Sequence, residues 1–244
     1  ELGYEQAVEQ IKGKEGTTLK LTVRRGGVDQ DYELVRRTIQ VKTASGEMLE
    51  GKIGYIRISG FKESTVEQFN EALQNLLNDG AVALVFDVRG NHGGLVTSVG
   101  ECLDPLLPEG DVAFATYRDG REEVLIRSDA KELNLPMAVL VDGDTASAAE
   151  LFASALRDFE KAKLYGVTTY GKGVMQNTIS LDDGGGLTIT VATYRTARSV
   201  CYQGIGLIPD ETVELPEDAP ALDERSHDAD PQLQKALTAL QGGA

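Results

Sequence analysis

The segment with the most chemistry in it is Asp142-Gly143-Asp144-Thr145-Ala146-Ser147-Ala148-Ala149-Glu150. It lies between a strand-like apolar run, Met137 to Val141, and an amphipathic helical pattern that begins near Ser147. A serine there stands at a helix N-terminus, where backbone N–H groups are free and the dipole favours negative charge. Further on, Tyr170-Gly171-Lys172-Gly173 holds a lysine in a tight glycine-flanked segment. A serine nucleophile with a lysine base is the equipment of a peptidase.

Each part also has a plainer reading. Ser147-x-x-Glu150 fits a capping box, so the serine could simply close the helix end. Capping by Asp144 or Thr145 instead would free it. Lys172 could be an ordinary surface lysine. Gly166-Val167-Thr168-Thr169-Tyr170-Gly171-Lys172-Gly173 almost spells a phosphate loop, but Gly173 stands where the Mg²⁺-holding hydroxyl belongs. Val174 to Ser180 then reads as strand, so no helix N-terminus would face a phosphate.

A third segment, Arg89-Gly90-Asn91-His92-Gly93-Gly94, follows the apolar run Val82 to Val88. Its glycines could bring backbone N–H groups against a substrate carbonyl as an oxyanion hole, or make a tight strand-to-helix turn; the two are compatible. A Ser147–His92–Asp87 triad can be drawn, but Asp87 leads along its strand into the same loop and leaves little length for a relay. His92 is better read as lining the site, and His227 as solvent-exposed.

The elements that must position these residues follow from periodicity. Ile53 to Ile58, Val82 to Val88, Met137 to Val141 and Lys163 to Gly166 read as strands. The nearly continuous apolar character of Val82 to Val88 suits a sheet covered on both faces. Helices are expected over Thr65 to Leu77, up to Cys102, and after Ser147, where Leu151, Phe152, Ala155, Leu156 and Phe159 share a face. Arg118-Asp119-Gly120 breaks Val112 to Ile126 into a hairpin, and Asp182-Asp183-Gly184-Gly185-Gly186 joins Val174 to Ser180 with Leu187 to Ala192. The alternation of strands and helices predicts an α/β fold. Before this, residues 1–40 read as helix (Tyr4 to Ile11), strand (Thr18 to Arg24), turn and strand (Asp31 to Ile39), too little for a core of their own. Pro231 to Leu240 is a closing helix with Asp230 at its N-cap and Pro231 at N1.

Composition narrows the function classes. The chain has 244 residues, 41% hydrophobic, with a net charge of −15. That charge repels nucleic acid and anionic lipid, so no nucleic-acid partner is expected. Much of the acid is in Glu211 to Asp230, eight Asp or Glu against one Arg, a solvated segment in the plain reading. No apolar run approaches the roughly 18 residues of a membrane span. With no initiator Met and no signal peptide, the chain reads as part of a longer precursor. Cys102 and Cys201 lack metal-ligand spacing and are expected to be small buried hydrophobes; no metal or cofactor is expected.

In order and spacing, four segments resemble the C-terminal processing peptidases, also called tail-specific proteases: Phe86 to Gly94, Thr145 to Glu150, Tyr170 to Gln176, and Gly206-Leu207-Ile208-Pro209-Asp210. The likeness runs from about Gly51 to Leu240. It implies a serine–lysine peptidase on a crotonase-like α/β core over residues 41–215, with residues 216–244 as an acidic linker and C-terminal helix. By position Ser147 matches the nucleophile, Lys172 the base and Gln176 a glutamine that positions the lysine. The N–H of Ala148, with that of Gly93 or Gly94, would form the oxyanion hole. Asp158 matches an acidic position of some members, though a helix-surface carboxylate is the easier explanation. Residues 1–40 resemble the last part of a PDZ domain. His92 stands where proline is common and Ala149 where serine is common; neither change removes a catalytic group.

The resemblance further implies an endopeptidase acting through an acyl-enzyme on protein or peptide substrates with accessible C-terminal tails, in an extracytoplasmic setting, with homo-oligomerisation open. A lysine serves as base near neutral pH only when its charged form is desolvated. It would then take the Ser147 proton directly, which predicts hydrogen-bond reach between the two side chains, about 3 Å, or slightly looser in an inactive state. A non-catalytic peptide-binding module and a crotonase-type acyl-CoA enzyme are the competing readings.

Overall fold

The computed structural model describes residues 3–38, 41–129, 131–182 and 184–242, the side chain of Glu5 excepted. Ile39 and Asp183, which the sequence places at a strand end and in a turn, lie outside the described residues. The chain divides into two compact units, one ending at Val41 and the other beginning at Lys42.

The first unit holds helix α1 (Tyr4–Ile11) and the antiparallel pair β1 (Thr18–Arg25) and β2 (Val28–Val35). Arg36 binds α1 to the hairpin by donating to the carbonyls of Ile11 and Gln10.

The second unit is built on a six-stranded sheet ordered β12-β9-β8-β5-β4-β3, from β3 (Ala44–Leu49), β4 (Ile53–Ile58), β5 (Ala83–Asp87), β8 (Met137–Val141), β9 (Ala162–Gly166) and β12 (Glu211–Thr212). Neighbours are parallel except β3, which runs antiparallel to β4. Alternate residues serve two apolar layers. Ile56, Ile58, Leu84, Phe86, Val139 and Val141 face one way, packed with α2 (Glu63–Asn78), α3 (Val96–Leu103) and α4 (Ala148–Asp158). Tyr55, Val85, Ala138, Leu140 and Tyr165 face the other way, against Leu233 and Ala236 of α5 (Pro231–Gly242). Coverage on both faces is why these strands read as unbroken apolar runs. A second, antiparallel sheet has the order β10-β11-β6-β7, from β6 (Gly110–Tyr117), β7 (Glu122–Ser128), β10 (Val174–Ser180) and β11 (Gly186–Thr196).

β3 and the two-residue β12 carried too weak a pattern to be read from the sequence. Helix α5 starts as expected: Asp230 Oδ1 accepts from the N–H groups of Gln232 (3.1 Å) and Leu233 (3.2 Å). Residues from Pro216 onward belong to the same compact unit as the sheet. A buried charge cluster holds them there. Arg89 reaches Asp87 at 2.6 Å and Asp230 at 2.8 Å, and donates to Gln232 at 2.9 Å.

Candidate active site

β5 and β8 are adjacent and parallel, so the loops after them leave the same end of the sheet side by side. Hydrogen bonds stitch the two loops together. Ala146 N–H donates to the Asn91 carbonyl (2.9 Å), the Thr145 hydroxyl to the Val88 carbonyl (2.9 Å), and Gly90 N–H to Asp142 Oδ1 (2.9 Å). Asp142 and Thr145 also bond each other reciprocally, Asp142 N–H to Thr145 Oγ1 at 2.9 Å and Thr145 N–H to Asp142 Oδ1 at 2.8 Å. Thr145 is thus spent on the turn, and Ser147 itself is the residue flanking α4. The expectation that Asp144 or Thr145 would cap the helix is corrected accordingly.

Ser147 has φ 58° and ψ −121°. Only two other non-glycine residues among those described, Lys52 and Glu160, have positive φ. Such backbone costs roughly 1–3 kcal/mol and persists only where its surroundings impose it. A serine on a strained turn between a strand and a helix has its hydroxyl thrust out at the sheet end. Ser147 and Glu150 have the arrangement of a capping box, yet Ser147 Oγ makes no hydrogen bond that caps the helix. Its hydrogen-bond contact is the Tyr194 hydroxyl, at 3.4 Å.

The glycines meet the serine closely. A Cβ on Gly93 would lie 2.8 Å from Ala148 N and 2.9 Å from Ser147 Cβ, and one on Gly94 would lie 1.9 Å from the Phe61 carbonyl oxygen. Both residues also have positive φ, 97° and 144°. Their N–H groups differ. Gly93 N–H is taken by Asn91 Oδ1 at 2.8 Å. Gly94 N–H and that of Ala148, the first residue of α4, have no acceptor among the described residues. Gly94 and Ala148 therefore offer the free donors, and Gly93 supplies the close approach rather than an N–H.

Glu150 organises the rest. Its carboxylate is fully buried. Oε2 accepts from Ser147 N–H (2.8 Å) and Lys172 N–H (2.8 Å), while Oε1 accepts from Gly171 N–H (2.7 Å) and the Thr169 hydroxyl (2.5 Å). One side chain at the positive end of α4 thus ties the serine's main chain to the lysine's. Sequence reading had only the capping-box half of this role. Glycine packing closes the lysine loop: a Cβ on Gly171 would meet Gly206 N at 2.7 Å, and Gly173 N–H donates to Gln203 Oε1 at 2.8 Å.

The Lys172 main chain is locked, but its partly exposed side chain makes no hydrogen bond, to Ser147 or to any other described residue. The expected direct contact of about 3 Å is therefore not made in this arrangement. Gln176 is exposed on β10 and likewise makes no side-chain hydrogen bond among the described residues.

The remaining candidates sort by contact. His92 is exposed, and the Asp87 carboxylate is buried against Tyr55 and Arg89, so no Ser147–His92–Asp87 relay exists. Burial alone would push Asp87 up; the Arg89 hydrogen bond and charge, helped by Arg57 and Tyr55, outweigh it and hold the carboxyl below its usual range. Asp158 is no helix-surface carboxylate. It is buried and accepts from the Thr196 hydroxyl (2.6 Å) and the N–H groups of Arg198 and Ser199 (2.9 Å each). His227 is only partly exposed, with its ring 5.0 Å from that of Tyr55. Both cysteines are free; Cys102 is buried as expected, whereas Cys201 is half-buried against the Gly173 carbonyl.

This strained serine, the free amides and the lysine loop fall inside residues 52–213, which match the model of Peptidase family S41. The chain belongs to peptidase family S41. It is 33% identical to the carboxyl-terminal-processing protease of Synechocystis sp., covering 99% of this chain and 58% of that protein. It is 36% identical to the carboxy-terminal processing protease CtpA of Bacillus subtilis, covering 88% and 47%. The chain thus spans about half the length of the curated relatives it matches. Among solved structures it resembles the photosystem II D1 C-terminal processing protease, with TM-score 0.65, 27% identity and coverage of 83% and 57% of the two chains. A putative S41 protease from Bacteroides fragilis shares the fold, with TM-score 0.67, 19% identity and coverage of 93% and 66%. Among the described residues no helix is long and apolar enough to cross a membrane.

Proposed function

We propose that this S41 chain is the core of a serine endopeptidase that cuts near the C-termini of protein substrates, with Ser147 as nucleophile and Lys172 as base. The observation that carries the reading is Ser147 held at positive φ beside the unclaimed N–H groups of Ala148 and Gly94. Strain of that kind is not what helix capping calls for, because an N-cap residue ordinarily has extended backbone at negative φ. In the reaction, Oγ attacks a peptide carbonyl, its proton passes to Lys172 Nζ, and the two amides receive the oxyanion. The lysine then returns the proton to the leaving amine, and a water molecule activated by the same nitrogen releases the acyl group.

The unbonded lysine side chain makes this a resting arrangement. Glu150 and Tyr194 hold its main chain, and in the proposed reaction the flexible four-carbon stem turns Nζ towards Ser147. Gln176 would join it as the positioning amide once the stem turns. Residues 1–40 as the C-terminal part of a PDZ domain, the kind of domain that binds substrate tails in this family, a crotonase-like fold of the core, and an extracytoplasmic setting complete the proposal by resemblance.

The test is fluorophosphonate labelling of Ser147 by mass spectrometry, alongside cleavage of an unstructured peptide. Labelling and cleavage that vanish in Lys172→Ala and survive in His92→Ala are expected. Labelling lost in His92→Ala but kept in Lys172→Ala would overturn the base assignment. Peptide binding without labelling or cleavage in the wild type would favour a binding module.

A further inference from the structure

We propose that Tyr194 is a positioning residue of the Ser147–Lys172 reaction, its hydroxyl orienting the Ser147 O–H bond while pinning the main chain that carries the lysine. The inference rests on the serine–lysine reading above and assigns a part to a residue outside the motifs that suggested it.

The tyrosine is placed with little freedom. It is buried in β11, paired opposite Ala115 of β6, and its N–H donates to the Gly173 carbonyl at 3.0 Å. Two residues on, Thr196 is anchored by Asp158 (2.6 Å) and Ser154 (2.7 Å). The ring meets that of Tyr202 edge-on at 5.8 Å. Its hydroxyl lies 2.6 Å from the Lys172 carbonyl oxygen and 3.4 Å from Ser147 Oγ.

A phenol has one proton, and a carbonyl can only accept. The short contact to Lys172 has the stronger claim on the Tyr194 proton, and the longer contact to Ser147 Oγ, in which Tyr194 is again the donor, leaves the serine's own proton free to turn towards Lys172. Desolvation by burial pushes Tyr194 up to about 12, so it stays protonated near neutral pH and is not itself the base. On attack the Ser147 O–H bond breaks, its proton passes to Lys172 Nζ, and Oγ bonds the carbonyl carbon as the carbonyl π pair moves to oxygen. Tyr194 neither gains nor loses a proton.

Tyr194→Phe keeps the ring and deletes the hydroxyl. With active sites counted by fluorophosphonate titration, the expected result is a fall in kcat per site of about 10- to 100-fold, with KM within about twofold. The acid limb of the kcat/KM profile should also move, because the lysine's approach to the serine is no longer set. A merely structural tyrosine would lower the number of titratable sites and leave kcat per site and the pH midpoint at wild-type values; that result overturns the inference. A wild-type chain that neither labels nor cleaves sinks the serine–lysine reading and this inference with it, whereas wild-type labelling with an unchanged Tyr194→Phe sinks this inference alone.

Discussion

Glu150→Gln is the sharpest single perturbation of this site. The carboxylate is fully buried, and its partners are three main-chain N–H groups and one hydroxyl, with no cation among them. An amide of the same shape must turn its NH₂ towards one pair of donors. Facing Ser147 and Lys172, it would orphan two backbone N–H groups. Facing Thr169 and Gly171, it orphans one, since the Thr169 hydroxyl can rotate to accept. The second orientation is the cheaper. One unsatisfied buried donor costs roughly 1–3 kcal/mol, and loss of charge assistance takes about 1 kcal/mol from each surviving bond. Opposing this, a neutral amide is spared the desolvation of an ion that no cation pairs.

The bonding loss is expected to win, at about 3 kcal/mol net. For a unit of this size that lowers Tm by roughly 6–12 °C. Activity should fall further than stability, because the same oxygen holds the serine's main chain and the lysine's. A misplacement on the order of 1 Å costs about 100-fold. Thermal melts followed by circular dichroism and kcat/KM on an unstructured peptide measure the two effects. A Glu150→Gln protein that melts at or above the wild-type temperature and cleaves normally would refute the reasoning, since desolvation would then outweigh the four bonds.

Other outcomes follow from the same geometry. Ser147→Gly should abolish cleavage while raising stability by about 1 kcal/mol in a denaturant titration, because glycine adopts positive φ without strain; a destabilised variant would mean the strain is small. Gly94→Ala puts a methyl 1.9 Å from the Phe61 carbonyl oxygen and should displace the loop, lowering kcat/KM about 100-fold or more as an oxyanion donor moves; wild-type kinetics would remove Gly94 from that role. Asp87 is held below the ordinary carboxyl range, so its contribution is fully present above about pH 4 and is lost as pH falls through its lowered folded value. Asp87→Asn should therefore flatten the acid end of a Tm–pH profile and cost on the order of 3 kcal/mol at neutral pH, by leaving Arg89 short of a partner. An unchanged acid limb would show that other carboxylates set it.

The sequence by itself determined the elements and marked the candidate reagents. Strand and helix follow from local periodicity, so β4, β5, β8, α2 and α4 were legible within a few residues. The serine, the lysine and the glycine pair stood out because the order and spacing of their segments resemble those of the C-terminal processing peptidases. The tertiary structure decided everything that depends on which atoms meet. That Glu150 joins the serine and lysine loops, and that Asp158 holds a loop instead of facing water, are facts of hydrogen bonding between residues 19 to 41 apart, and Gly94 rather than Gly93 keeps a free N–H because the Asn91 side chain turns back within its own loop. Tyr194 carries no motif of its own; it matters because β11 crosses behind the lysine loop. Side-chain periodicity records which face a residue turns to the core, but a buried donor or acceptor finds its partner only when the chain has closed around it, and that closure leaves no local trace in the order of residues.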